Sequence, residues 1–140
     1  MPQINLDDTA LEYRECGSGP PLLMVHGSAS DFRSWQSQME PFGRHYRAIA
    51  CSRRYHWPNP SIPPGITYTM NEQADDLRRV IQSIGDTPLH VVGHSYGAFL
   101  SLLAPKPKTK TGSGLRNSLE NKALATISPK TGHEKSMTYS

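Results

Sequence analysis

The segment Val92-Gly93-His94-Ser95-Tyr96-Gly97 constrains this 140-residue chain more than any other. It follows a short apolar run, Leu89-His90-Val91-Val92, and precedes a second apolar stretch that ends near Ala104. A strand that passes into a helix with so little between them must turn sharply. Glycines at 93 and 97 suit that corner, because backbone can approach where a Cβ would clash. The residue at the apex is held in a strained conformation, with its hydroxyl projecting beyond the strand. The helix that starts after Ser95 aims free N–H groups and the positive end of its dipole at the same point.

Upstream of this corner the chain alternates short apolar strands with helical patterns. Gln3 to Leu6 and Ala10 to Cys16 read as strands around an Asp-Asp turn. Leu22-Leu23-Met24-Val25 is a continuous apolar run, as expected of a strand buried on both faces. Asp31 to Phe42 has Phe32, Trp35 and Met39 at helical spacing, which points to core packing. Tyr46 to Ala50 is the next strand, followed by a loop with Pro58, Pro60, Pro63 and Pro64 that no helix interior would tolerate. Met70 to Ile84 is the clearest helix. Thr69 and Glu72 have capping-box spacing, Met70, Ala74, Leu77, Val80, Ile81 and Ile84 share one face, and Gly85 ends it. Such alternation indicates an α/β fold, a mainly parallel sheet with helices on its faces.

The pattern stops near residue 104, and so does the charge balance. Residues 1–104 hold eight arginines, no lysine and ten acidic residues, whereas every lysine lies in 105–140. Pro105 and Pro107 cannot continue a helix, and Thr111-Gly112-Ser113-Gly114 has linker chemistry. The expected division is an ordered 1–104 and a basic, disordered tail 105–140, in which only Ala123 to Ile127 passes as a weak strand. The break fits a tail of different origin, through a frameshift or gene fusion. The tail lacks interleaved aromatics and a recognition motif, so no nucleic-acid partner is expected. No run approaches the roughly 18 apolar residues of a membrane span, and the first residues lack a signal peptide's basic start and apolar run. A cytoplasmic protein without a membrane partner is the expectation. Cys16 and Cys51 have no paired spacing and read as free thiols.

A second element complements Ser95. His26-Gly27-Ser28 follows the doubly buried strand, where a loop can place a backbone N–H beside the serine. Acyl transfer develops an oxyanion that two such groups can hold, and Ser28 N–H and Tyr96 N–H are the candidates. With these motifs in place, residues 3–104 resemble the first half of an α/β-hydrolase, in the broad group of esterases, haloperoxidase-like enzymes and epoxide hydrolases. The resemblance implies a partial sheet of strand order 1-2-4-3-5, mostly parallel, with flanking helices. It implies Ser95 as nucleophile, Gly93 and Gly97 shaping its turn, and His26 and Gly27 in the oxyanion loop. Epoxide hydrolases and dehalogenases carry aspartate at this turn, so serine favours small-molecule ester, thioester or other acyl-type substrates. No cofactor is implied. The loop after the fourth strand departs from the pattern: relatives commonly have Asp-x-x-Gly-x-Gly-x-Ser, against Cys51-Ser-Arg-Arg-Tyr-His-Trp-Pro-Asn-Pro60 here.

The family's chain order is serine, acid, histidine. After Ser95 only Glu120, Glu134 and His133 remain, with no aspartate. Glu120 and His133 stand in the right order, but a triad from them would need a helix and several strands within a few dozen residues, across two prolines. Without a base Ser95 is a poor nucleophile. Two readings therefore compete with an active hydrolase: a non-catalytic fragment that binds a partner, and a truncated product. In the first, the strand ending at Val92 would leave an open edge through which the chain self-associates.

Other candidates have plainer explanations. His94 reads as a filler of the turn, and His26 as a residue that orients its loop by hydrogen bonding. His90 and His94 have helical zinc-site spacing but lie on a strand and a turn, so no metal site is expected. Tyr55, His56 and Trp57 either line a pocket or anchor the proline-rich loop. Cys51 reads as a packed thiol. The glycine turns at 17–19 and 112–114 lack the lysine and helix of phosphate loops.

Overall fold

The computed structural model describes residues 1–85 and 88–104, together with the backbone of 123–126. The elements run β1 (Gln3–Asn5), β2 (Ala10–Cys16), β3 (Pro21–Val25), a 3-10 turn (Phe32–Trp35), α1 (Gln36–Gly43), β4 (Arg47–Cys51), α2 (Met70–Ile84), β5 (His90–His94), α3 (Tyr96–Leu103) and β6 (Ala123–Thr126). The sheet order is β1-β2-β4-β3-β5-β6. β1–β2 and β2–β4 are antiparallel, while β4–β3, β3–β5 and β5–β6 are parallel. The expected order 1-2-4-3-5 is present, extended by one strand.

The apolar pattern decides which face each helix covers. β3 is buried at all five positions, so its side chains divide between two cores. Leu23 and Val25 join Leu77, Val80, Ile81 and Leu100 on the side of α2 and α3. Leu22 and Met24 join Phe32, Trp35 and Ala50 on the side of α1. The segment read as one helix from Asp31 is a 3-10 turn and then an α-helix, with Asp31 capping the turn through Arg33 N–H.

α2 forms with both halves of its capping box, Thr69 Oγ1 accepting from Glu72 N–H and Glu72 accepting from Thr69 N–H. That motif contributes about 1 kcal/mol. Leu77, Val80 and Ile81 are each 3–9% exposed, and such side chains contribute roughly 1.5–3 kcal/mol apiece. Packing, more than capping, holds the helix. Met70 was expected on this face, but it is 42% exposed, and the buried stripe begins one turn later at Ala74. Asp76 is buried instead, receiving Arg54 and the Tyr68 hydroxyl. Arg54 also bonds Asp8, which ties the β1–β2 turn to α2.

The edge expected to be open beyond Val92 is occupied. Val91 to His94 pair in parallel with Ala123 to Thr126. The remainder of 105–140, on which the expectation of disorder fell, lies outside the described residues.

Candidate active site

β5 runs two residues further than its apolar pattern indicated, since Gly93 still pairs with Val25 across to β3. The whole reversal into α3 therefore falls on Ser95, at φ 53° and ψ −122°. Positive φ in a residue with a Cβ is uncommon and costs on the order of 1–3 kcal/mol, so the surroundings must impose it. They do so through glycine. A Cβ on Gly93 would run into the backbone of Ala98, and one on Gly97 into the carbonyl oxygens of Val25 and His26. α3 is thus seated on the end of β3 at a separation only glycine permits.

Ser95 is exposed at this corner, and its side chain makes no capping hydrogen bond. Its carbonyl accepts the first helical bonds, from Ala98 and Phe99 N–H. The earliest amides of a helix have no intrahelical partner. The loop after β3 passes beside this serine. A Cβ on Gly27 would lie 3.4 Å from Ser95 Cβ and 3.3 Å from His94 Nδ1. His26, Gly27, Ser28, Ser95 and Tyr96 therefore occupy one end of the sheet, past the carboxyl ends of β3 and β5.

His26 is fully buried, and its tautomer follows from its partners. Nε2 faces Arg53 N–H at 2.9 Å, which can only donate, so Nε2 accepts. Nδ1 therefore carries the hydrogen and donates to Gly27 O at 2.8 Å. Burial, reinforced by the Arg53 charge, pushes this imidazole down to about 3, so it stays neutral. Both its nitrogens are engaged, which makes it a poor proton acceptor for Ser95.

Arg53 was not singled out in the sequence, yet it organises this corner. It is 7% exposed. Nη2 donates to Gly27 O at 3.0 Å and Nη1 to Gln73 Oε1 at 2.8 Å, while the guanidinium lies 5.3 Å from the Tyr96 ring centre. Nε is buried without a partner, and burial lowers the guanidinium from its ordinary value. Gly27 O thus receives two donors, Arg53 and His26. The peptide that carries this oxygen also carries Ser28 N–H, on its opposite side.

The loop after β4 is fixed from within. Ser52 Oγ accepts Phe32 N–H and donates to Trp57 O, and Asn59 Nδ2 donates to Ser52 O and Arg53 O. Trp57 lies under Arg33 at 4.0 Å and edge-on to Phe32. Tyr55 stacks edge-on with Tyr68. Cys51 is buried, which pushes its thiol up to about 12, far from a reactive thiolate. Cys16 and Cys51 are both free. His90 rests against Tyr46 at one end of β5, whereas His94 sits at the other beside Gly27. Among the described residues no cluster of histidine, cysteine and carboxylate could hold a metal. Glu120 and His133 lie outside the described residues.

Comparison with known proteins agrees with this architecture. The family model of the alpha/beta hydrolase fold matches residues 20–106. The chain is 31% identical over 102 residues to 2-(acetamidomethylene)succinate hydrolase of Mesorhizobium japonicum, covering 73% of this chain and 36% of that one. It is 27% identical over 103 residues to epoxide hydrolase 3 of Mus musculus, covering 72% and 28%. Among solved structures, an alpha/beta hydrolase of Sphaerobacter thermophilus superposes with TM-score 0.64 at 30% identity, over 74% of this chain and 39% of that one. Epoxide hydrolase VrEH1 of Vigna radiata gives 0.67 at 27% identity, over 74% and 34%. The chain spans about a quarter to a third of the length of the curated relatives it matches. No helix among the described residues is long and apolar enough to cross a membrane. With the match extending over more than half its residues, the chain belongs to the α/β-hydrolase fold family.

Proposed function

We propose that this chain carries the nucleophile-bearing part of a serine-dependent α/β-hydrolase for ester or other acyl-type small molecules. Ser95 is the nucleophile in this reading. Gly93 and Gly97 shape its turn, and His26 and Gly27 hold the oxyanion loop. Ser28 N–H and Tyr96 N–H receive the oxyanion as the carbonyl becomes tetrahedral. The observation that carries the reading is Ser95 itself, held at positive φ between β5 and α3 with Gly27 alongside. Strain of this kind persists where it serves a site. A serine here attacks the acyl carbon, the bond to the alcohol, thiol or other leaving group breaks as that group departs with a proton, and water then splits the acyl-enzyme into free acid and the restored serine. A relative that hydrolyses 2-(acetamidomethylene)succinate is nearer to this chemistry than one that opens an epoxide.

A second reading is favoured by a different observation. Ser95 has no histidine or carboxylate on its hydroxyl among the described residues, and the chain spans a minor part of its relatives. On this view the serine is inert until an acid and a histidine are supplied, and the chain acts through a partner. Glu120 and His133 are the chain's own remaining triad candidates.

Labelling with a fluorophosphonate, followed by peptide mapping, separates these readings from error. Slow modification at Ser95, abolished in Ser95→Ala and unchanged in Glu120→Gln and His133→Gln, is expected for a nucleophile without its base. Fast labelling lost in the Glu120 or His133 variant would establish a working triad. Labelling that persists in Ser95→Ala would contradict the assignment.

A further inference from the structure

His56 stands in the loop after β4, the segment where relatives commonly carry Asp-x-x-Gly-x-Gly-x-Ser. Its ring meets two carbonyl oxygens at once. Nε2 lies 2.9 Å from Ser28 O and Nδ1 lies 2.9 Å from Arg54 O. Carbonyl oxygens only accept, and a neutral imidazole has a single N–H. Only the doubly protonated ring donates to both. Nε2 has one alternative neighbour, Arg53 Nη2, at 3.4 Å. When the ring is neutral with hydrogen on Nδ1, Nε2 can accept from Arg53 and no longer holds Ser28 O.

We propose that His56 is a positioning residue whose imidazolium clamps the Ser28 carbonyl and so fixes the oxyanion loop, a hold that loosens when the ring loses its proton. The inference rests on the reading of Ser28 as an oxyanion donor. The peptide on one side of Ser28 is held at Gly27 O by Arg53 and His26. The peptide on its other side is held at Ser28 O by His56. With both in place, neither the peptide that carries Ser28 N–H nor the one that carries Ala29 N–H can rotate freely.

Among the groups around the ring, Arg53 shares the loop and brings its Nη2 to 3.4 Å from His56 Nε2. His26, from the loop after β3, packs edge-on at 4.8 Å between ring centres and is neutral. Asp31, further along that loop, is committed to Arg33, and the Arg54 guanidinium to Asp8 and Asp76. Tyr96 of α3 and Gln73 of α2 reach Arg53, not the ring. On the acid side of the His56 transition the ring holds both carbonyls, and on the alkaline side it gives up one of them, Ser28 O in the tautomer that lets Nε2 accept from Arg53.

The test is an NMR titration of the full 140-residue chain from pH 5 to 8.5, following the His56 ring with the Ser28 and Ala29 amides. Ala29 N–H shares its peptide with Ser28 O. Both amides should move with the midpoint of the His56 ring, and that movement should vanish in His56→Gln, which cannot titrate. Amides that stay still in the wild-type chain, or that move unchanged in His56→Gln, would overturn the proposal. The wild-type comparison of ring and amide midpoints stands even if the variant folds poorly. The readout needs no catalysis, so failure to label Ser95 would sink the hydrolase reading and leave the clamp tested on its own.

Discussion

α2 and α3 lie side by side on one face of the sheet, and they are finished differently. α2 starts on a complete capping box, buries one stripe, and turns Asp75, Arg78 and Arg79 outward in mutual ion pairs. α3 starts on a serine that caps nothing, at positive φ, and leaves Phe99, Leu102 and Leu103 42–64% exposed. The first is a surface helix whose local signals agree with its place. The second forgoes a cap worth about 1 kcal/mol and accepts strain at its first residue. A helix start that keeps its hydroxyl and amides free retains the groups that acyl chemistry needs. Stabilising local signals are concentrated on one helix, and the proposed chemistry falls at the start of the other.

The contrast can be broken by acid. His26 anchors the α3 end and is neutral when folded, at about 3 against an ordinary 6.5. Below pH 6.5 the unfolded chain takes up a proton that the folded chain refuses, so stability falls progressively toward pH 3. The loss should reach on the order of 4 kcal/mol by the bottom of that window. Denaturant unfolding at pH 7, 5.5 and 4 measures it, and His26→Asn should flatten the slope above pH 4. Below that, Asp8, Asp31, Glu72 and Asp75 add their own loss in both proteins. Each is held below its ordinary value, chiefly by hydrogen bonds from Arg54, from Arg33, from Thr69 and from Arg78 respectively, and each loses that hold on protonation.

Gly97→Ala sharpens the comparison from the structural side. The added methyl meets two backbone carbonyls of the β3 end, which cannot step aside as a side chain could. A loss of about 3 kcal/mol is expected in urea unfolding. Near-wild-type stability would mean that α3 is not seated as described. Thr69→Ala gives the smallest effect, about 1 kcal/mol by the same measurement. It should leave fluorophosphonate labelling of Ser95 unchanged, since the Thr69 side chain bonds only Glu72, and the group α2 lends to the corner, Gln73 on Arg53, stays in place.

Local signals made α2 legible from Thr69 to Gly85, because its cap, its period and its terminating glycine all lie within the segment. The same holds for β3, whose apolar run has only one plausible environment. The apolar pattern of β5 stops short of the strand's end, since Gly93 suits a turn as well as a paired strand position; only its register with Val25 shows which. Strand order came from resemblance, as no residue in a strand names its neighbour. The Arg53 hub was illegible for a clearer reason. An arginine in a proline-rich loop looks solvated, and its burial depends on His26 and Gln73, each 20 or more residues away. Arg54 likewise gave no hint of Asp8, 46 residues distant. His56 lies in a loop that departs from the relatives' pattern, which marks the segment without revealing what the ring holds.

An experimental structure of the chain after reaction with a fluorophosphonate tests the central assignment most directly. The assignment predicts phosphorus on Ser95 Oγ, Ser95 still at positive φ, and a phosphonyl oxygen about 2.7–3.1 Å from the nitrogens of both Ser28 and Tyr96. A Ser95 lying in regular helix or strand, or an adduct whose oxygen meets neither amide, would contradict it.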